Sequence, residues 1–158
     1  MNKIIIVEKK SKIRKDIAQL DKEICTKNQI SIINQLYLDE IFKGKKDVIR
    51  ALKKKLSSYK AQDKKYQRYS KAAFITYEQL IEKLVLSKLK CTYCYCSLQI
   101  IYQKVREERQ WTLDRLENSI EHTNENTVVS CLKCNIQRGR ICDKKFLFTK
   151  QMRIIKKY

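Results

Sequence analysis

Cys91-Thr-Tyr-Cys94 and Cys131-Leu-Lys-Cys134-Asn135, with Trp111-Thr-Leu-Asp-Arg-Leu-Glu-Asn118 between them, decide how this chain is organised. Each Cys-x-x-Cys step puts two sulfurs on one tight turn, and two such turns can close a tetrahedron around a single zinc ion. A site of four cysteines has no open position, so Zn2+ held by Cys91, Cys94, Cys131 and Cys134 is expected to be structural. The ion clamps the segment between the knuckles. That segment carries Asp114, and the clamp is expected to bring it near Asn135. Two hard oxygen donors side by side suit a second ion of the magnesium type, Mg2+ or Mn2+. Cys96 could compete as a zinc ligand, but regular spacing favours Cys91 with Cys94. Cys142 comes too late to replace Cys134, and Cys25 falls on an apolar helix face and is read as core.

Between and beyond the knuckles the hydrophobic period is two. Leu98, Ile100 and Tyr102 alternate, as do Trp111 and Leu113, which predicts short strands. Trp111 and Leu113 are assigned to the module's core. Ser119 to Asn126 is polar and loop-like, and Val128-Val129 predicts a return strand. A helix is expected from about the second knuckle through Gln137-Arg138.

Upstream the period is helical. Ile13, Ile17, Leu20 and Ile24 predict a helix over 12–27. Ser31 is read as the cap of a second, with Ile32, Ile33, Leu36, Tyr37 and Ile41 on its apolar face and Gly44 ending it. Asp47 is read as the cap of a third, with Val48, Ile49, Leu52, Leu56 and Tyr59 inward. Its other face carries Lys53, Lys54, Lys55, Lys60, Lys64, Lys65 and Arg68, interleaved with Tyr66 and Tyr69. Thr76-Tyr-Glu-Gln79 is a capping box. It opens a helix to about Lys88 with Tyr77, Leu80, Ile81, Leu84 and Val85 along one stripe. Two glycines and no proline leave few breakers to interrupt these helices. The fold class is α+β: a mainly helical amino-terminal region, then a small zinc-stabilised module. The boundaries are a basic helical region over 1–72, the zinc module over 73–145 and a basic tail over 146–158.

Charge points to the partner. The chain has 36 Lys and Arg against 17 Asp and Glu, a formal charge of +19 that no core requires. Nucleic acid rewards such an excess, because each phosphate contact releases counterions. Lys53, Lys54, Lys60, Lys64, Lys65 and Arg68 form the candidate phosphate-tracking face, extended by Arg138 and Arg140. No stretch approaches the roughly 18 apolar residues of a spanning helix, so no membrane role is expected. The apolar run Ile4-Ile-Ile-Val7 is too short for a secretory core, so the expected location is intracellular. That means the cytoplasm or nucleoid, or a site of viral DNA replication. There the cysteines serve as ligands or free thiols rather than disulfides.

Together, Cys-x-x-Cys, Leu113-Asp-Arg-x-x-Asn118, His122-Thr-x-x-Asn126 and Cys-x-x-Cys-Asn135 resemble the HNH nucleases with a ββα-metal core. The variety with zinc knuckles, similar to phage recombination endonuclease VII, is the nearest in pattern. The resemblance spans roughly Thr76 to Arg140. It implies a metal-dependent endonuclease that hydrolyses DNA phosphodiesters, with Asp114 and Asn135 holding the catalytic Mg2+ or Mn2+ and Asn126 orienting the loop of the ββα turn. Relatives of the endonuclease VII type work as dimers, which makes the amino-terminal helices a candidate homodimer interface.

At one position the chain departs from the pattern. The family's general base is usually a histidine directly after the metal-binding aspartate, and here Arg115 stands there. Arginine stays protonated and cannot take a proton from water, though it can grip a phosphate with two parallel hydrogen bonds. His122, the only histidine, is then the candidate base, with Glu117 or a metal-bound hydroxide as further candidates. The alternative is a zinc-dependent nucleic-acid-binding, regulatory protein whose nuclease core has lost its chemistry.

Overall fold

A computed structural model describes residues 12–14 and 28–152 of the 158. Five helices and one two-stranded sheet are formed among them: α1 (Gln29–Tyr37), α2 (Lys45–Lys65), α3 (Tyr77–Leu86), β1 (Trp111–Arg115), β2 (Thr127–Cys131), α4 (Leu132–Arg138) and α5 (Asp143–Gln151). The mixed α+β class holds. β1 and β2 run antiparallel, with Trp111 opposite Cys131, Leu113 opposite Val129 and Arg115 opposite Thr127.

The helices form where the apolar period places them, but their ends differ from expectation. α1 begins three residues early because Asn28, not Ser31, is the N-cap; its side chain accepts from the Ile30 amide. It closes at Tyr37 and leaves Ile41 almost fully exposed. Gly44 therefore ends nothing. With φ of 82° it starts α2, at a backbone conformation glycine adopts without strain. Asp47 lies in the first turn of α2 instead of capping it, and pairs with Arg50 at 2.9 Å. α3 opens on the reciprocal capping box, the Gln79 amide donating to Thr76 Oγ1 and the Thr76 amide to Gln79 Oε1.

Of the helix expected over 12–27, only Lys12–Arg14 are described, and Ile13 there makes an isolated antiparallel bridge with Lys104. The rest of that helix, and Cys25, lie outside the described residues. Residues 98–102 form no strand. Leu98, Ile100, Ile101 and Tyr102 are all buried, which breaks the alternation. The Gln29 side chain also accepts from the amides of Ile100 and Ile101, at 2.6 and 3.0 Å, in place of a strand partner. The stretch from 146, expected as a tail, is helical to Gln151, and Phe146 packs edge-on against Tyr93 at 5.0 Å.

A single hydrophobic cluster runs through the expected boundary near residue 72. Ile32 and Ile33 of α1, Val48 and Leu52 of α2, Leu80, Ile81 and Leu84 of α3, and Trp111, Leu113 and Val129 of the sheet all belong to it. No described helix is long and apolar enough to cross a membrane. Because the capping box satisfies two otherwise orphaned amides, Thr76→Ala should lower the unfolding free energy by about 1 kcal/mol. Urea titration with zinc held constant should show the lower midpoint at an unchanged slope.

Candidate functional site

The knuckles are built from two different turns. After α3 the chain passes through left-handed conformations at Lys88 and Leu89. It then folds back on itself: the Cys91 amide donates to Cys96 O at 3.0 Å and the Leu98 amide to Leu89 O at 2.7 Å. Thr92 ties this hairpin to the sheet, donating to Val129 O from both its amide and its hydroxyl. The second knuckle straddles the end of β2 and the start of α4. Cys131 is the α4 N-cap, its sulfur accepting from the Cys134 amide at 3.3 Å.

The four ligand atoms of Cys91, Cys94, Cys131 and Cys134 all lie within 4.8 Å of one another. Cys94 and Cys131 sulfurs are 3.9 Å apart. A tetrahedron with zinc–sulfur bonds of about 2.3 Å sets its sulfurs about 3.8 Å apart, so the cluster fits a metal ion such as zinc. The hydrogen bond with the Cys131 thiol pulls the Cys91 thiol far below its ordinary range. Backbone amides of Cys94, Cys131 and Tyr93 add to this against the cost of burial. Cys96 is half-buried and stands outside the group.

Beside the knuckles lies a cleft of about 890 Å³ between α2 and the face formed by β1 and α4. Asp114, Arg115, His122 and Asn135 all line it, together with Lys65, Arg68 and Arg140. Asn126 and Glu117 do not. Asn126 ties the β1–β2 loop: its Oδ1 accepts from the Glu117 amide at 2.9 Å, and its Nδ2 donates to Glu117 O and Glu121 O, both at 3.0 Å. Glu117 is exposed and binds Ser119. Lys53, Lys54, Lys60 and Lys64 are exposed along α2, Lys53 over the Tyr77 ring and Lys60 and Lys64 over Tyr69.

Asp114 is buried, and its carboxylate is fully engaged. Arg138 grips it with two bonds, Nε to Oδ2 at 2.5 Å and Nη2 to Oδ1 at 2.7 Å, and the Tyr93 hydroxyl donates to Oδ2 at 2.7 Å. Burial, then the contact with Asp114, raises the Tyr93 phenol far above its usual range, so it stays a donor. Arg138 is thus no surface phosphate contact. It is 1% exposed, and its remaining donors go to Arg115 O, Ile141 O and Asn118 Oδ1. Asn135 donates to Thr112 Oγ1 at 3.1 Å, while its Oδ1 takes no hydrogen bond from any described residue.

This donor set does not fit a divalent ion. The Asp114 charge is already matched by Arg138, Asn135 is neutral, and Arg115 and Arg140 stand beside them. The other carboxylate near the cleft belongs to Asp63, and it too is taken.

Asp63 is the residue that the sequence motifs miss. It is fully buried near the end of α2. Its Oδ2 accepts from the His122 amide at 2.9 Å and pairs with His122 Nδ1 at 2.8 Å. Its Oδ1 accepts from Arg68 Nε at 2.9 Å and lies 3.7 Å from Arg115 Nη1. Although burial works against the charge, the His122 amide, Arg68 and the His122 ring together hold the carboxyl below the usual carboxylate range. Burial in turn keeps His122 below the usual imidazole value, against the pull of Asp63. The sequence does carry a signal. Asp63 continues the inward stripe of Leu52, Leu56 and Tyr59 at helical spacing, where an acid is tolerated only if paired.

Lys55, expected on the outward cationic face, instead turns inward. It donates to Trp111 O and to Gln110 Oε1 at 2.9 Å, with Nζ 4.6 Å from the Trp111 ring centre. Burial, with Arg14 nearby, depresses its amine to about 7.

Comparison with protein families, with curated proteins and with solved structures finds no match to this chain.

Cys131→Ser should lose the bound metal and the cooperative unfolding of the knuckle region, since ligand binding and folding are one free energy there. Metal analysis after desalting, alongside thermal melting, reads this directly. Arg138→Met leaves Asp114 buried without its counter-charge and should cost about 3–5 kcal/mol in chemical denaturation.

Proposed function

We propose that this chain is an endonuclease that hydrolyses nucleic-acid phosphodiesters, with DNA as its substrate, in the cleft between α2 and β1. The observation that carries the proposal is His122. Its Nδ1 is committed to Asp63, no described residue bonds its Nε2, and the residue lines a cleft rich in cations. An imidazole held below its ordinary pKa is neutral at physiological pH. It offers a lone pair for a water proton. Arg115 and Arg140 suit the scissile phosphate, since planar guanidinium groups bind two of its oxygens at once and offset the charge that grows as hydroxide attacks. Arg68 and Lys65 extend the positive field from α2, and Lys53, Lys54, Lys60 and Lys64 would track the neighbouring backbone. Zinc at the four cysteines holds this wall together and supplies no chemistry.

The divalent ion implied by the resemblance has its two donors, Asp114 and Asn135, on the cleft wall. Arg138 would have to release Asp114 before an ion could bind, so the chemistry proposed here runs through His122 and the cations. The same pairing favours a second reading: a zinc-dependent protein that binds nucleic acid without cutting it.

Supercoiled, linear and branched DNA incubated with the full chain in Mg2+, Mn2+ or EDTA separates the two. Nicking by the wild type is expected, with His122→Ala slower by about 100-fold or more at unchanged DNA affinity. Loss of cutting in EDTA together with loss in Asp114→Ala would show that Arg138 yields to an ion. Binding without cutting in every condition favours the second reading. Affinity should fall steeply with salt, and fewer phosphate contacts in Lys60→Gln/Lys64→Gln should flatten that dependence.

A further inference from the structure

The carboxylate of Asp63 lies outside the segment that carries the family resemblance, yet it touches three cleft-lining residues at once. Oδ2 takes both the ring Nδ1 and the backbone amide of His122. Oδ1 takes Arg68 Nε and faces Arg115 Nη1 at 3.7 Å. One turn earlier on the same face of α2, Tyr59 lays its ring against the imidazole, with centroids 4.7 Å apart, and its hydroxyl accepts from the Leu113 amide. The imidazole is thus fixed in position by a ring on its face and in rotation by a carboxylate at its edge. A buried carboxylate keeps its charge only where several donors compensate it, and here each of the donors belongs to a residue of the cleft wall or loop. Such a carboxylate fixes which ring nitrogen carries the proton and how the other is aimed.

We propose that Asp63 is a positioning residue for the reaction: it locks His122 in the tautomer with hydrogen on Nδ1, so that the Nε2 lone pair is presented to the cleft, and it holds Arg68 and Arg115 at its other oxygen. This rests on the reading of His122 as the base. The consequence is that α2 completes the catalytic apparatus of the zinc module. The groups facing the imidazole are Asp63 and Tyr59 from α2, Arg68 just beyond it, and Arg115 from β1.

Because His122 is the only histidine, its ring nitrogens can be observed by 15N NMR in the intact, zinc-loaded chain without assignment. The wild type should show a protonated Nδ1 and an unprotonated Nε2 at neutral pH. Asp63→Asn removes a charge that favours the imidazolium, so the His122 pKa should fall further, by about one pH unit, and the tautomers should mix. If the chain cuts DNA, kcat should drop by about 100-fold with little change in KM, and the acid limb of the pH–rate profile should move down with the NMR pKa. Asp63→Glu should recover part of the rate. A merely structural Asp63 would leave tautomer and pKa in place. A wild-type ring carrying its hydrogen on Nε2, or an Asp63→Asn ring unchanged in pKa and tautomer, overturns the proposal. The wild-type spectrum decides even if Asp63→Asn does not fold. A chain that never cuts DNA defeats the endonuclease reading, whereas the spectra still decide whether Asp63 sets the tautomer of His122.

Discussion

Four thiols drawn to one point are the constraint on which the site depends. Cys94 and Cys131 are 37 positions apart in sequence and their sulfurs nearly touch. That closure sets the hairpin after α3 against β2, fixes where α4 begins, and so fixes the line along which Asn135 and Arg138 project. A two-stranded sheet of five-residue strands is marginal by itself. Here it is sandwiched between a metal-ready knuckle on one side and the α2 face on the other. Thr92, bonding to Val129 from its backbone and its side chain, is the small polar fastener between knuckle and sheet.

A second theme is buried charge. Asp114 with Arg138, Asp63 with Arg68 and His122, and Lys55 with three acceptors are all withdrawn from solvent in a chain whose surface is crowded with cations. Among the described residues no buried side-chain nitrogen or oxygen is left without a partner. Such groups contribute little net stability compared with well-packed apolar residues, and their geometry is what they fix. Each of these three ties α2, β1, the β1–β2 loop or α4 to another, and the hydrophobic cluster likewise includes residues of α2, β1 and α4.

Much of this is legible in the sequence, and the limits have physical causes. Local signals survive intact: the Thr76 capping box, the two knuckles, and the strand–loop–strand–helix order from Trp111 to Arg138. Those features depend on neighbours within a few residues. Helix ends are less legible because Asn28 and Ser31 are both good caps, and only packing chooses between them. The period-two run at 98–102 stops at one isolated bridge, Gln99 with Gln110, because the next two amides, of Ile100 and Ile101, go to the side chain of Gln29, some seventy residues away. Charged side chains are the least legible. Lys55 and Arg138 look like surface residues in a sequence so rich in charge, and their immediate neighbours do not mark them as buried; Asp63 is marked only by its place on the inward stripe of α2. The partners that make their burial tolerable come from other elements.

α2 also acts as a ruler. At 1.5 Å per residue its 21 residues extend about 32 Å, and the exposed lysines from Lys53 to Lys65 occupy about 18 Å of that. A duplex advances about 3.4 Å per base pair, so that row matches about five steps. It ends where Lys65 and, just beyond, Arg68 enter the cleft. Any polyanion laid along this helix would have its contact length set by the helix.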